Sequence, residues 1–85
     1  MPPNTIYTMP ICGYCACAKA LLKAKGAAFE EIDVFMNMDA RAKMQNMSGG
    51  RNTVPQIFIG DVHVGGSDDL AALDRAGELD ALLGD

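Results

Sequence analysis

Gln56-Ile57-Phe58-Ile59-Gly60-Asp61-Val62-His63-Val64 decides how this chain folds. Gly60-Asp61 is a tight-turn pair between two short runs of strand-forming residues, so the segment reads as a hairpin of Gln56–Ile59 and Val62–Val64. Ile57-Phe58-Ile59 has no polar alternation, which suits a strand covered on both faces. Such a strand needs helices on either side of its sheet, and the flanking sequence supplies them.

Upstream, Asn4–Met9 reads as a first strand and Phe29–Val34 as a second. Between them a helix is predicted from about Gly13 to Lys25, with Cys15, Ala18, Leu21 and Leu22 on one face and Gly26 as its stop. Lys19, Lys23 and Lys25 crowd its last turns and complement the helix dipole. A second helix spans Met38–Met47 and ends at Ser48-Gly49-Gly50. Downstream, Gly65-Gly66 turns the chain into Ser67, the expected N-cap, with Asp68 and Asp69 in the first turn. A last helical region, Leu70 to Leu83, is interrupted near Gly77. The order β-α-β-α-β-β-α is that of an α/β protein. Strands joined through a helix should be parallel with a right-handed crossover, and the hairpin adds antiparallel strands. The expected product is a four-stranded mixed sheet flanked by helices.

The chain has 85 residues, one domain's worth, and 49% of them are hydrophobic, enough for one core. No run approaches the roughly 20 apolar residues of a membrane span, and no basic-then-apolar leader opens the chain. Three cysteines without an export signal point to a reducing cytoplasm rather than a disulfide-stapled secreted domain. The net charge of −4 is uneven: residues 1–59 carry six Lys/Arg against four Asp/Glu, and residues 60–85 carry Arg75 against seven acids. No basic patch fits nucleic acid, so no nucleic-acid or membrane partner is expected.

The chemistry lies in Cys12-Gly13-Tyr14-Cys15, where the first strand gives way to the first helix. A helix start offers unpaired N–H donors and about half a positive charge, both of which favour a thiolate. Cys-X-X-Cys pairs so placed are reactive. A structural disulfide across so short a loop would stabilise weakly. A zinc site would need Cys12, Cys15, Cys17 and His63, but Cys17 lies about 140° around the helix from Cys12, so the sulfurs splay apart. A redox dithiol is the reading these residues favour. Cys12, at the helix boundary and open to solvent, is the expected nucleophile; Cys15, a turn inside and facing the core, is the resolving thiol. Cys17 is expected to be a small, buried or half-buried apolar residue, and Met36, Met38, Met44 and Met47 to fill core space.

Two other segments complete the candidate site. In Thr53-Val54-Pro55, the residue before proline is pushed towards an extended conformation, which frees its backbone to pair with an extended peptide. The helix start at Gly66-Ser67-Asp68 presents N–H groups to a carboxylate, and Asp68 can accept from an ammonium.

Taken together, Tyr7-Thr8, Cys12-x-Tyr14-Cys15, Thr53-Val54-Pro55-Gln56-Ile57-Phe58-Ile59 and Gly65-Gly66-Ser67-Asp68-Asp69-Leu70 resemble the dithiol glutaredoxins, most closely the short bacterial type. The likeness covers essentially the whole chain, residues 1–85, as one glutaredoxin domain. It implies a thioredoxin-like fold and a cytoplasmic, glutathione-dependent thiol–disulfide oxidoreductase, monomeric, acting on glutathionylated or disulfide-containing proteins. It also implies a cis Val54–Pro55 bond beside the cysteines. Glutathione would pair with the backbone of Val54, its γ-glutamyl carboxylate meeting the N–H groups of Ser67 and Asp68. Asp68 would take its ammonium, Tyr14 and Thr53 would line the groove with Pro55 and Gly66, and Arg51 would hold the glycyl carboxylate.

Two departures from the family pattern stand out. Gly13 replaces the usual proline between the cysteines, and in relatives a small residue there sometimes accompanies a [2Fe–2S] cluster bridged between two subunits. On that alternative Cys12 is a cluster ligand and the protein dimerises. Met9 replaces a lysine common three residues before the first cysteine, which removes a cation beside the sulfur and predicts weaker glutathione affinity. A third class, a thioredoxin-like reductase served by a flavoenzyme, is opposed by the Ser67-Asp68 helix start.

Overall fold

Four short strands form one sheet in the computed structural model, which describes residues 3–84. β1 (Thr5–Thr8) is central: it runs parallel to β2 (Glu30–Asp33) and antiparallel to β3 (Gln56–Ile59). β4 (Val62–Gly65) pairs antiparallel with β3, so the order is β2-β1-β3-β4. α1 (Gly13–Ala24) connects β1 to β2, and α2 (Met38–Met47) connects β2 to β3. The last helical region is split into α3 (Ser67–Arg75) and α4 (Leu79–Leu82), with Gly77 between them at φ 74°. This is the mixed sheet of the expected thioredoxin-like fold, with β1 and β2 a residue shorter at each end than expected and β4 a residue longer.

Strand alternation sorts the core into two layers. Ile6, Ile57 and Ile59 face α1, α3 and α4, where they pack with Ala18, Leu22, Leu70 and Leu79. Tyr7 and Phe58 face the other way, against Val34 and Met44 of the α2 layer. Their rings meet edge-on at 5.8 Å between centroids, a favoured aromatic geometry. β3 is buried along its whole length, because both layers need it.

Three expectations are corrected. Gly66, not Ser67, is the N-cap of α3: the Asp69 carboxylate accepts the Gly66 N–H at 2.9 Å, which fixes the helix start one residue earlier. Cys17 is exposed, since it lies about 200° around α1 from buried Cys15. Of the four methionines only Met44 is fully buried. Met36 and Met38 are 87% and 84% exposed, because α2 buries only a narrow stripe and Met36 stands in the turn before it.

The register also builds one functional end. Thr8 pairs with Asp33, so β1 and β2 finish side by side, and Tyr7 pairs with Gln56, so β3 begins there. Ile57 pairs with Gly65, which brings the start of α3 to the same end.

Candidate active site

Four connections therefore converge: the turn leading into α1, the β2–α2 turn, the segment before β3, and the start of α3. The first carries the dithiol. Cys12 is the N-cap of α1, and its Sγ accepts the backbone N–H of Cys15 at 3.2 Å. Cys-for-Ser capping is the physical content here, since a sulfur takes the place of the oxygen that usually satisfies a first-turn amide. Cys12 is half-buried and Cys15 buried, and both are free thiols. Burial pushes the Cys15 thiol up to about 11, and the hydrogen bond to Cys12 adds to this; a backbone contact at Met9 and the Lys19 charge work in the opposite direction.

A groove opens on one side of this cap. Tyr14, Thr53, Val54 and Pro55 form one wall, and Gly66, Ser67 and Asp68 form the other. Val54–Pro55 is cis, and Val54 lies just outside the β3 ladder. Buried Gln56 pins this segment: its Nε2 donates to Thr53 O at 3.0 Å and Thr53 Oγ1 at 3.1 Å, while its Oε1 meets His63 Nε2 at 2.7 Å. His63 is thus a strand residue tied to Gln56, with its ring 4.9 Å from that of Phe58. At the other wall, glycine as N-cap has no side chain to cap the first-turn amides of α3. Asp69 holds only the Gly66 N–H and lies 3.5 Å from Arg51 Nη1. Those two partners, the Gly66 amide first, hold the Asp69 carboxyl below its usual range. Gly65, at φ 115°, must lack a side chain, because a Cβ there would collide with that carboxylate.

Tyr14, Arg51, Thr53, Val54, Pro55, Gly66, Ser67 and Asp68 line one groove, and Cys12 lines a second with Cys15. Arg51 lines the first groove at the α3 start, its Nη1 3.5 Å from Asp69 Oδ2. Sequence reasoning missed three features. Gln56 and Asp69 are supports whose type and spacing gave a usable signal: an amide two residues after Val54, and an acid three residues after Gly66. Arg41 gave none, for its partners are distant in sequence. Its guanidinium donates to Asn52 Oδ1 at 2.7 Å and to Met9 Sδ at 3.3 Å. A cation therefore does stand beside Met9.

A capped dithiol at a helix start, facing a peptide-sized groove on a thioredoxin-like fold, defines a thiol–disulfide oxidoreductase. Comparison with known proteins narrows the class. The Glutaredoxin family model matches residues 4–64. Glutaredoxin of Pseudomonas aeruginosa is 54% identical over 83 residues, covering 98% of each chain. The solution structure of glutaredoxin from Brucella melitensis superposes with a TM-score of 0.83 at 61% identity, over 98% of this chain and 89% of that one. A crystal structure of a buckwheat glutaredoxin–glutathione complex gives 0.84 at 33% identity, over 95% and 76% of the two chains. The chain belongs to the glutaredoxin family.

Proposed function

We propose that this protein uses glutathione to reduce protein–glutathione mixed disulfides and protein disulfides, with Cys12 as nucleophile. The observation that carries the reading is the Cys12 Sγ cap on the Cys15 amide, with the groove lined by Tyr14, Val54 and Ser67 at the same end of the fold. Cys12 thiolate attacks the glutathionyl sulfur of the substrate. The substrate's S–S bond breaks, the protein thiolate departs and takes a proton from solvent, and Cys12 holds glutathione as a mixed disulfide. A second glutathione thiolate attacks that glutathionyl sulfur, which releases glutathione disulfide and restores Cys12. With a protein disulfide, Cys15 displaces the substrate from Cys12 instead, closing the Cys12–Cys15 bond.

The groove suits glutathione in this order. The cysteinyl part pairs with the Val54 backbone, as an added strand would. The γ-glutamyl carboxylate meets the uncapped amides of Ser67 and Asp68, and Asp68 takes the ammonium. Arg51, fixed at this same end, supports the γ-glutamyl site through Asp69. Its guanidinium, which lines the groove, is also the cation for the glycyl carboxylate. Incubating Cys15→Ser with glutathione disulfide should trap one glutathionyl group on Cys12, seen by mass spectrometry. An adduct confined to Cys17, or none, would reject the assignment.

Gly13 favours a second reading. Its Cβ position is open, with nothing within 4 Å, so the turn between the cysteines leaves space that a proline ring would occupy. Cys12 is the more accessible sulfur there, whereas Cys15 is buried. A [2Fe–2S] cluster held by Cys12 of two subunits and glutathione thiolates would supply electron storage or cluster carriage. Anaerobic reconstitution with iron, sulfide and glutathione decides: a brown dimer supports it, and a colourless monomer ends it.

A further inference from the structure

His63 is the chain's one histidine, and the reaction described above does not use it. It stands on β4, half-buried, with its ring tilted 32° to that of Phe58 at 4.9 Å between centroids. Its Nε2 lies 2.7 Å from Gln56 Oε1, and Gln56 is fully buried. From there the contacts run on into the groove wall. Gln56 Nε2 donates to Thr53 O at 3.0 Å and meets Thr53 Oγ1 at 3.1 Å, and Thr53 lines the groove with Val54 and Pro55. Among the described residues, these are the hydrogen bonds that hold Thr53.

The polarity of this series of bonds has one solution. A backbone carbonyl only accepts, so the Gln56 nitrogen faces Thr53 and its oxygen faces His63. An amide oxygen also only accepts, so the imidazole proton sits on Nε2. The other tautomer would set a bare nitrogen against a buried oxygen. Turning the amide over would relieve that clash only by pointing its oxygen at the Thr53 carbonyl. The acceptor at Thr53 therefore dictates the proton on His63. The ring is mostly uncharged at neutral pH as well: burial first, and then the Arg51 charge, hold it below its usual 6.5, against an opposing pull from Asp69.

We infer that His63 is a positioning residue for the tripeptide groove: its Nε2–H orients the Gln56 amide, which holds Thr53 and thereby the Val54 backbone that the tripeptide pairs with. The inference rests on glutathione occupying that groove. His63 lines neither that groove nor the one at Cys12. It opens instead onto a cleft between β4 and α3, with Asp69, Ala72 and Leu73. Its effect therefore falls on the shape of the groove and not on the sulfur. Without the donor, the Gln56 oxygen is a buried acceptor with no partner, and the amide gains by turning towards water in the cleft. That movement releases Thr53, and binding the tripeptide must then restore the order.

The test compares wild type with His63→Leu, which keeps an apolar contact for Phe58 but lacks a donor, and with His63→Gln. Glutamine carries an N–H the same number of bonds from Cβ as the imidazole Nε2. The substrate is the mixed disulfide of glutathione and 2-mercaptoethanol, with glutathione as reductant in mildly alkaline buffer. In His63→Leu the KM for the mixed disulfide should rise about tenfold with kcat little changed, and His63→Gln should restore it. The rate of Cys12 alkylation by iodoacetamide should be the same in all three proteins. An unchanged KM in His63→Leu, a loss that glutamine does not rescue, or a loss that also reaches the Cys12 alkylation rate would overturn the inference. Should His63→Leu fail to fold, the wild-type tautomer decides. A long-range proton–nitrogen spectrum has one imidazole to report; an Nε2–H ring supports the inference and an Nδ1–H ring overturns it. Wild type with no turnover of the mixed disulfide would sink the glutathione reading and this inference with it, whereas turnover blind to His63 fails the relay alone.

Discussion

Cys15 should be nearly inert at neutral pH, and this can be measured directly. Its thiol, raised to about 11 first by burial and then by the hydrogen bond to Cys12, is ionised to about one part in 10⁴ at pH 7, against about 3% for an ordinary cysteine near 8.5. That is a deficit of about 300-fold in thiolate. A more basic thiolate is also a better nucleophile, and a Brønsted slope of about 0.4–0.5 returns about tenfold of the loss. The net expectation is alkylation about 30-fold slower than that of an ordinary thiol, and slower still because Cys15 is buried. A timed iodoacetamide pulse on reduced Cys17→Ser, read by tandem mass spectrometry, separates Cys12 from Cys15. The rate at Cys15 should climb tenfold per pH unit through the neutral range and beyond. Neutral-pH alkylation of Cys15 at the rate of free glutathione would refute the reasoning.

Four further outcomes follow from particular contacts. Lys19→Met removes a charge that favours the Cys15 thiolate, so internal closure of the Cys12–Cys15 disulfide should slow and its pH profile move upward, as stopped-flow reduction of a protein disulfide would report. Gly65→Ala pushes the Asp69 carboxylate from the Gly66 amide and Arg51; losing that charge-assisted support should raise the KM for glutathione about tenfold, with little change in kcat. Ile11→Asn should raise unfolding free energy by about 1 kcal/mol in urea titrations, because it relieves a left-handed β-branched residue. Stability should also fall with acid. Glu31, held below its ordinary value of 4.5 by Lys19 and Thr8, and Asp69, held below 3.8, bind fewer protons folded than unfolded. Their contribution is complete above those ordinary values and is lost as pH falls through the depressed ones, so the urea midpoint should drop between pH 5 and pH 3.

Much of the architecture could be read from local pattern. The α2 bounds, the Gly60-Asp61 hairpin and the parallel pairing across α1 follow from periodicity and turn chemistry, and the structure has them. The dithiol was legible for the same reason: Cys12 caps the helix that its own neighbours specify. What stayed hidden depends on distance along the chain. Arg41 meets Met9 across 32 residues, so that contact has no local signature. Met36 and Met38 were misread because composition cannot tell a soft core residue from an exposed one. Their exposure follows from a left-handed turn and from the narrow stripe that α2 buries. Ser67 was mistaken for the N-cap because serine caps well, whereas here Asp69 reaches back and fixes the helix at Gly66.

The most direct test is steady-state turnover of a small glutathione mixed disulfide, with glutathione as the only reductant. Wild type and Cys15→Ser should both turn over, and Cys12→Ser should not. Activity that survives loss of Cys12, or a wild type that ignores glutathione while accepting electrons from a flavoenzyme reductase, would contradict a catalytic sulfur at the start of α1 served by a bound tripeptide.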